Sequence, residues 1–384
     1  MSDAIEVELS GEDDPSPDGP GLGGGKGVWL LVGIGLGFAF SLLFNNAIPQ
    51  VEPATPGGAI DTTVASVSGI GAVIPGYPDG MNILVSPGEG RALEVLTWPL
   101  QGEPFFRSIP LGDIDLAGTA QFDASGQFLA ATTHAPGGLQ LGSGRPNTFG
   151  VVASGVTSFA WHDSDPADLA WSKVEDDEFQ IWVSEDAGEG ELMVRAIGIG
   201  EVLTAFGDWG FAITERTGVT DNSPTFRTHL LAPNGDLRGA IDGWVVASHG
   251  SGLLLVENRD ELRVVTADVP DDGIEIRATD LAGDVVVGGE FSPSGDRFAV
   301  TSLGGVSAVT SLGGVSVVNL ETLNVTNHSI RAGSDSMDWT SDGRFLLVSA
   351  FRGVAVLDTE TGDITSVQES ETTRSVAATP IGGP

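Results

Sequence analysis

Residues 291–302 read FSPSGDRFAVTS, and two other stretches share the pattern: FDASGQFLAATT at 122–133 and WTSDGRFLLVSA at 339–350. Each places an aromatic residue before a short polar turn that ends in glycine, and a hydrophobic run follows. The physical reading is a strand whose aromatic end packs in a core. Asp, Ser or Thr then caps the turn, glycine takes the left-handed conformation, and the chain runs back as a second strand. Weaker copies lie between the clear ones. AWHDSDPADLAWS has its aromatic at Trp161, TAFGDWGFAIT at Phe206 and YPDGMNILVS at Tyr77, while VASHGSGLLLVE puts Ala247 in that place. The seven positions 77, 122, 161, 206, 247, 291 and 339 are therefore 45, 39, 45, 41, 44 and 48 residues apart. A period of about 40–50 residues is the length of one four-stranded propeller blade. The fold expected is all-β, a seven-bladed β-propeller over residues 63–369, with six or eight blades as the alternatives.

FSPSGDRFAV, WTSDGRFLLV and FDASGQFLAA resemble the repeat of bacterial TolB-type, WD40-like propellers. The resemblance implies a blade and leaves function open, because one fold hosts many functions. The same repeat occurs in propellers of prolyl-oligopeptidase-like enzymes, but this chain has neither a G-x-S-x-G motif nor room for a hydrolase domain.

A second, shorter repeat is laid over the first. TSLGGVSAV (301–309) is followed at once by TSLGGVSVV (310–318). Removing one copy leaves FAVTSLGGVSVVNLETLN, which aligns with FLLVSAFRGVAVLDTETG of the last blade, and shortens the 48-residue spacing to 39. The unit is an insertion between the second and third strands of blade six. A slip of nine along a strand would swap its two faces, so the extra copy is expected to leave the sheet as a lengthened loop.

The N-terminal part differs in character. Residues 1–26 are acidic and rich in Gly and Pro, which predicts a disordered cytoplasmic tail. Residues 27–48 carry no charge and are long enough to cross a bilayer, which predicts a single transmembrane signal-anchor helix. The acidic n-region and the lack of an A-x-A site argue against a cleaved signal peptide. Lys26 at its start places the N-terminus in the cytoplasm and the propeller on the extracytoplasmic side of the cell membrane. Gly33, Gly37 and Ser41, four apart, offer a face for helix–helix dimerisation. Residues 49–62 read as a Pro/Gly-rich linker, and 370–384 as a disordered C-terminal tail.

Composition narrows the partners. The chain of 384 residues has 53 acids against 17 bases, a formal charge of −36, and only two lysines, Lys26 and Lys173. Such a surface repels phosphate backbones, so nucleic acid is excluded as a partner. With no cysteine, disulfides, thiolate metal sites and cysteine nucleophiles are excluded too. The five histidines show no H-x-x-x-H spacing, and no phosphate loop or Ser/His/Asp motif stands out. His162 and His249 follow their blade anchors near turns. With Asp165 and Asp208 they are the candidates for binding at the propeller rim. The runs Glu175–Glu178 and DVPDDGIE (268–275) leave calcium as the one cofactor to consider, with Asp268, Asp272 and Gly273 at EF-hand spacings but no closing glutamate. The function expected is a protein- or glycan-binding or scaffolding module at the membrane surface. The alternative is a channel-type propeller enzyme, a lactonase or a glycan hydrolase or lyase, which would need carboxylates or histidines converging on the axis.

Overall fold

The three clear repeats fold the same turn in the computed structural model, which describes Ile5–Glu8 and, with short gaps, residues 77–380. The residue after the aromatic closes the turn through its backbone, by Asp123 N–H to Phe128 O at 3.0 Å, Ser292 to Arg297 at 2.9 Å and Thr340 to Phe345 at 2.9 Å. Its side chain closes the turn a second time. Asp123 Oδ1 accepts from Phe128 N–H at 2.8 Å, Ser292 Oγ from Arg297 N–H at 3.1 Å and Thr340 Oγ1 from Phe345 N–H at 3.0 Å. Gly295 and Gly343 take φ of +70° and +68°, where a side chain would be strained.

These turns join strands into seven sheets, numbered here as blades by the sequence positions above. Blade 2 holds Ala120–Phe122, Leu129–Ala135, Gly138–Gly144 and Gly150–Ser154. Blades 3 to 7 begin with Val156–Trp161, Val202–Gly207, Trp244–His249, Val285–Phe291 and Ala332–Trp339, each followed in order by three antiparallel neighbours. Blade 1 is composite. Its strands Met81–Pro87, Ala92–Trp98 and Phe105–Pro110 receive Thr373–Pro380 as their innermost partner, in the register Met81↔Pro380 to Ser86↔Ser375. First strands of successive blades touch one another around the ring. The molecule is an all-β propeller.

Six hydrophobic clusters are each shared by two neighbouring blades. Between blades 7 and 1, for example, Phe345, Leu347 and Val356 pack on Tyr77, Ile83 and Val376. Blades are therefore held face to face by burial of apolar area, at about 25 cal/mol per Å².

Two expectations about the termini need correction. Residues 373–380 were expected in a disordered tail, but they form the ring-closing strand. SVAAT lacks large side chains and gives little strand signal alone, and it is stabilised by its neighbours in blades 1 and 7. Within the acidic N-terminal tail, Ile5–Glu8 forms a strand that pairs parallel with Glu191–Ile197 at the outer edge of blade 3. The alternation I-E-V-E is the local signal for it. The expected anchor, with Gly33, Gly37 and Ser41, and the linker lie outside the described residues. Among the described residues no helix is long and apolar enough to cross a membrane.

The nine-residue duplication sits where expected, between the second strand of blade 6, Arg297–Leu303, and the third, Gly314–Asn319. Ser302 pairs with Gly314, so the first copy ends one strand and the second begins the next. Deleting 304–312 retains every residue of both strands. The deletion is expected to change the unfolding free energy by less than about 1 kcal/mol in chemical denaturation. A larger loss would mean that the connection is itself packed structure.

Candidate functional site

A blade's first strand is an edge strand, and its free N–H groups need acceptors. Side chains from the preceding blade supply them. Ser158 Oγ accepts from Leu203 N–H at 2.7 Å, Ser336 Oγ from Val376 N–H at 3.0 Å, and Asp338 Oδ2 from Ala378 N–H at 2.7 Å. Anchor tryptophans add the reverse tie: Trp161 Nε1 donates to Gln121 O at 3.0 Å, and Trp339 Nε1 to Glu290 O at 3.3 Å. The residue before each anchor thus stands at the inner edge of its blade, on the strand face opposite the core aromatic.

Two of those residues are acids, Glu290 in blade 6 and Asp338 in blade 7. Asp123 and Asp163 follow the anchors of blades 2 and 3. Burial is the first cause acting on Glu290 and pushes its carboxyl well up, and the charges of Asp338 and Asp163 push it the same way. Burial pushes Asp338 up to about 7; N–H groups of Ala378 and Trp339 oppose the shift, and Asp123 adds to it. Asp163 is also raised by burial, against donors Ser248 Oγ at 2.6 Å and Trp209 Nε1 at 3.0 Å. Asp163 reaches across to Ser248 of blade 5, and from there its charge acts on Glu290 of blade 6. Glu290 and Asp338 keep partial exposure, as groups bordering an axial channel do. The four acids sit at the end of the ring where first strands turn into second strands. Leu303 and Gly314, which flank the duplicated connection, are at the opposite end.

Three of the four rim candidates come together on the same face as these acids. His162, Asp165 and Asp208 each offer a ligand atom within 4.8 Å of the others. His162 is buried and Asp165 and Asp208 are exposed. The imidazole is poorly set for a metal. Its Nδ1 accepts from Asp165 N–H at 2.9 Å and Ser164 N–H at 3.2 Å. The neutral ring must then carry its proton on Nε2, which faces Asp208 Oδ1 at 3.6 Å. A metal-bound histidine instead donates its second N–H and coordinates through a free lone pair. His249 is used in the same way: Nδ1 accepts from Ser251 N–H at 3.2 Å, and Nε2 faces Pro293 O of blade 6 at 3.3 Å. It stands apart from the cluster. Both histidines cap turns. Beside Asp208, a cavity of about 280 Å³ is lined by Trp209, Arg238, Ser251 and Asp268.

The calcium runs resolve differently. In DVPDDGIE, Val269–Arg277 is a strand rather than a calcium-binding loop, with Gly273 paired to Val265, and Asp268 takes Arg238 at 2.5 Å. Glu175 and Glu178 face each other across a hairpin end, with exposed Asp176 between them. Among the described residues, neither run gathers three acid oxygens around one point.

Sequence reading missed the four channel acids. The available signal was in the repeat itself: the residue before the anchor is Gln in QFDASG, Glu in EFSPSG and Asp in DWTSDG.

No family model matches the chain, and no curated protein matches it. Solved structures do. The periplasmic gluconolactonase PpgL of Pseudomonas aeruginosa superposes with a TM-score of 0.52 at 12% identity, over 79% of this chain and 99% of that one. TolB from Acinetobacter baumannii gives 0.41 at 13%, over 78% and 67%. Apo AztD from Citrobacter koseri gives 0.47 at 12%, over 78% and 97%. The likeness is one of fold.

The raised carboxyl of Asp338 has a stability consequence. Its folded value lies above its unfolded one, so its penalty is absent below about pH 4, grows between about 4 and 7, and is complete above. Asp338→Asn removes the charge and keeps an acceptor for Ala378. The variant is expected to be more stable than the parent at pH 8, by up to about 4 kcal/mol, with the gap closing at pH 4. Denaturation midpoints across that range check it.

Proposed function

We propose that the chain is a membrane-anchored, extracytoplasmic, seven-bladed propeller that acts as a binding module and takes its partner at the acidic end of the ring. One observation carries this reading: acids from four blades act on one another electrostatically, and the strongest charges acting on Glu290 and Asp338 are all negative. Acids that raise one another's pKa favour a positive partner, whose charge lets them ionise, so a protein with a basic segment suits the site better than a neutral glycan. Anchoring rests on the apolar stretch 27–48. Insertion of that stretch withdraws Ile5–Glu8 from blade 3, at little cost for a four-residue edge pairing. Photo-crosslinkers at exposed Asp165 and Asp208 should capture a basic protein in cells, and one at exposed Val151, on an outer strand, should not. Protease applied to intact cells should digest the propeller and spare the tail. Equal capture at all three positions overturns the reading.

A second reading is a hydrolase of the lactonase kind. Asp338, pushed up to about 7, would be a general acid or base poised near neutrality in the channel. A panel of lactones and glycosides decides it. Turnover that falls at least about 100-fold in Asp338→Asn supports it, and no turnover removes it.

A further inference from the structure

The outermost part of blade 6 carries two adjacent copies of one short motif, N-V-T at 324–326 and N-H-S at 327–329. An asparagine two residues before Ser or Thr, with no Pro between, is the acceptor pattern for N-linked glycan transfer. No other asparagine of the chain stands in that pattern. The motif alone says nothing of access, and the structure separates the two copies.

Asn327 is already engaged at both ends of its amide. Its Oδ1 accepts from Ser316 Oγ at 2.7 Å, and its Nδ2 donates to Asp280 O at 3.0 Å. The atom that would carry a glycan there ties the outer strand to the connection from blade 5. Asn324 is presented instead. Its turn is closed without its side chain. Asn319 N–H donates to Asn324 O at 3.0 Å and Leu323 N–H to Asn319 O at 2.8 Å. Asn319 Oδ1 accepts from Thr322 N–H at 2.8 Å and from Thr322 Oγ1 at 2.9 Å. The Asn324 amide group makes no hydrogen bond among the described residues. Asn324 and Thr326 are both exposed. Both line one cleft of about 240 Å³, together with Asn319, Thr322 and Thr359. Acceptor amide and recognition hydroxyl therefore open on the same side, beside polar groups that suit a first sugar.

The position also tolerates bulk. Val325–His328 is the last strand of its sheet and has a neighbour on one side only. A glycan at its start shields a free sheet edge, which otherwise invites pairing with another chain.

We propose that Asn324 is an N-glycosylation site, with Thr326 as the hydroxyl that the transferase recognises. The assignment rests on the reading that the propeller is extracytoplasmic. In the transfer, Asn324 Nδ2 bonds to the anomeric carbon of a saccharide carried on a lipid phosphate. The anomeric C–O bond to that phosphate breaks, the lipid phosphate leaves with the electron pair, and the Nδ2 proton passes to a base of the transferase.

The test uses the full chain purified from the cells that make it, digested and read by mass spectrometry. The peptide holding Asn324 is expected to carry added mass that fragments to sugar ions. Asn324→Gln and Thr326→Ala should each lose all of it. Thr326→Ser, which keeps the hydroxyl, and Asn327→Gln should retain it. All four changes lie on the exposed outer strand and its turn, so the fold should persist, as circular dichroism will show. A bare Asn324 in the parent chain, or sugar mass that survives Asn324→Gln, overturns the proposal. If external protease digests the propeller while Asn324 is bare, the orientation stands and the glycan site falls. If protease spares the propeller as well, the orientation itself falls.

Discussion

The constraint on which the rest depends is that every blade presents an unpaired strand edge to the axis. A sheet of four strands satisfies its interior hydrogen bonds, but the first strand keeps a row of N–H groups with no ladder partner. The ring answers this by lending side chains from blade to blade: Ser158 to Leu203, Ser336 to Val376, Asp338 to Ala378. These ties are possible only because the first strands run side by side around the axis. The same placement forces polar side chains into a crowded, poorly solvated space. Structural need and functional chemistry thus draw on the same positions. Asp338 is both the acceptor that holds the closing strand and the carboxyl displaced furthest toward neutrality among those with a defined value.

Apolar packing and polar ties divide the work. The clusters between blades, such as Phe298, Val300 and Phe291 against Leu255, Leu262 and Val264, supply non-directional cohesion. They would tolerate several ring sizes. The tryptophan-to-carbonyl and carboxylate-to-amide bonds are directional and fix how one blade is turned against the next. Arg297 shows both roles in one side chain: it lies over the Trp339 ring and donates to Gly343 O at 2.7 Å and to Thr359 Oγ1 at 3.1 Å in the next blade.

How much of this was legible depended on whether a feature is local. The turn after the aromatic is local: its capping residue, its glycine and its spacing all lie within six residues, and FSPSGDR announces each of them. The duplication could be placed because it interrupts that local pattern. His162, Asp165 and Asp208 could be named because they follow anchors, though nothing in the sequence brings Asp208 of blade 4 to His162 of blade 3. Ring closure was hidden because Thr373–Pro380 is a strand by virtue of partners almost three hundred residues away. The channel acids were hidden because a charge next to an aromatic in one repeat looks like an ordinary solvated residue until the inner edges of the blades face one axis.

The composite first blade has a consequence for how the molecule comes into being. Its innermost strand follows every other strand of the ring in sequence, so the ring cannot close until all of them have been produced, and the contacts that close it are among the most distant in sequence. Folding is therefore delayed rather than progressive. The strand that closes the ring also covers Asp338, whose carboxyl is displaced because its neighbours exclude water. Burial by the closing strand pushes that carboxyl up, so completion of the ring favours its protonated form.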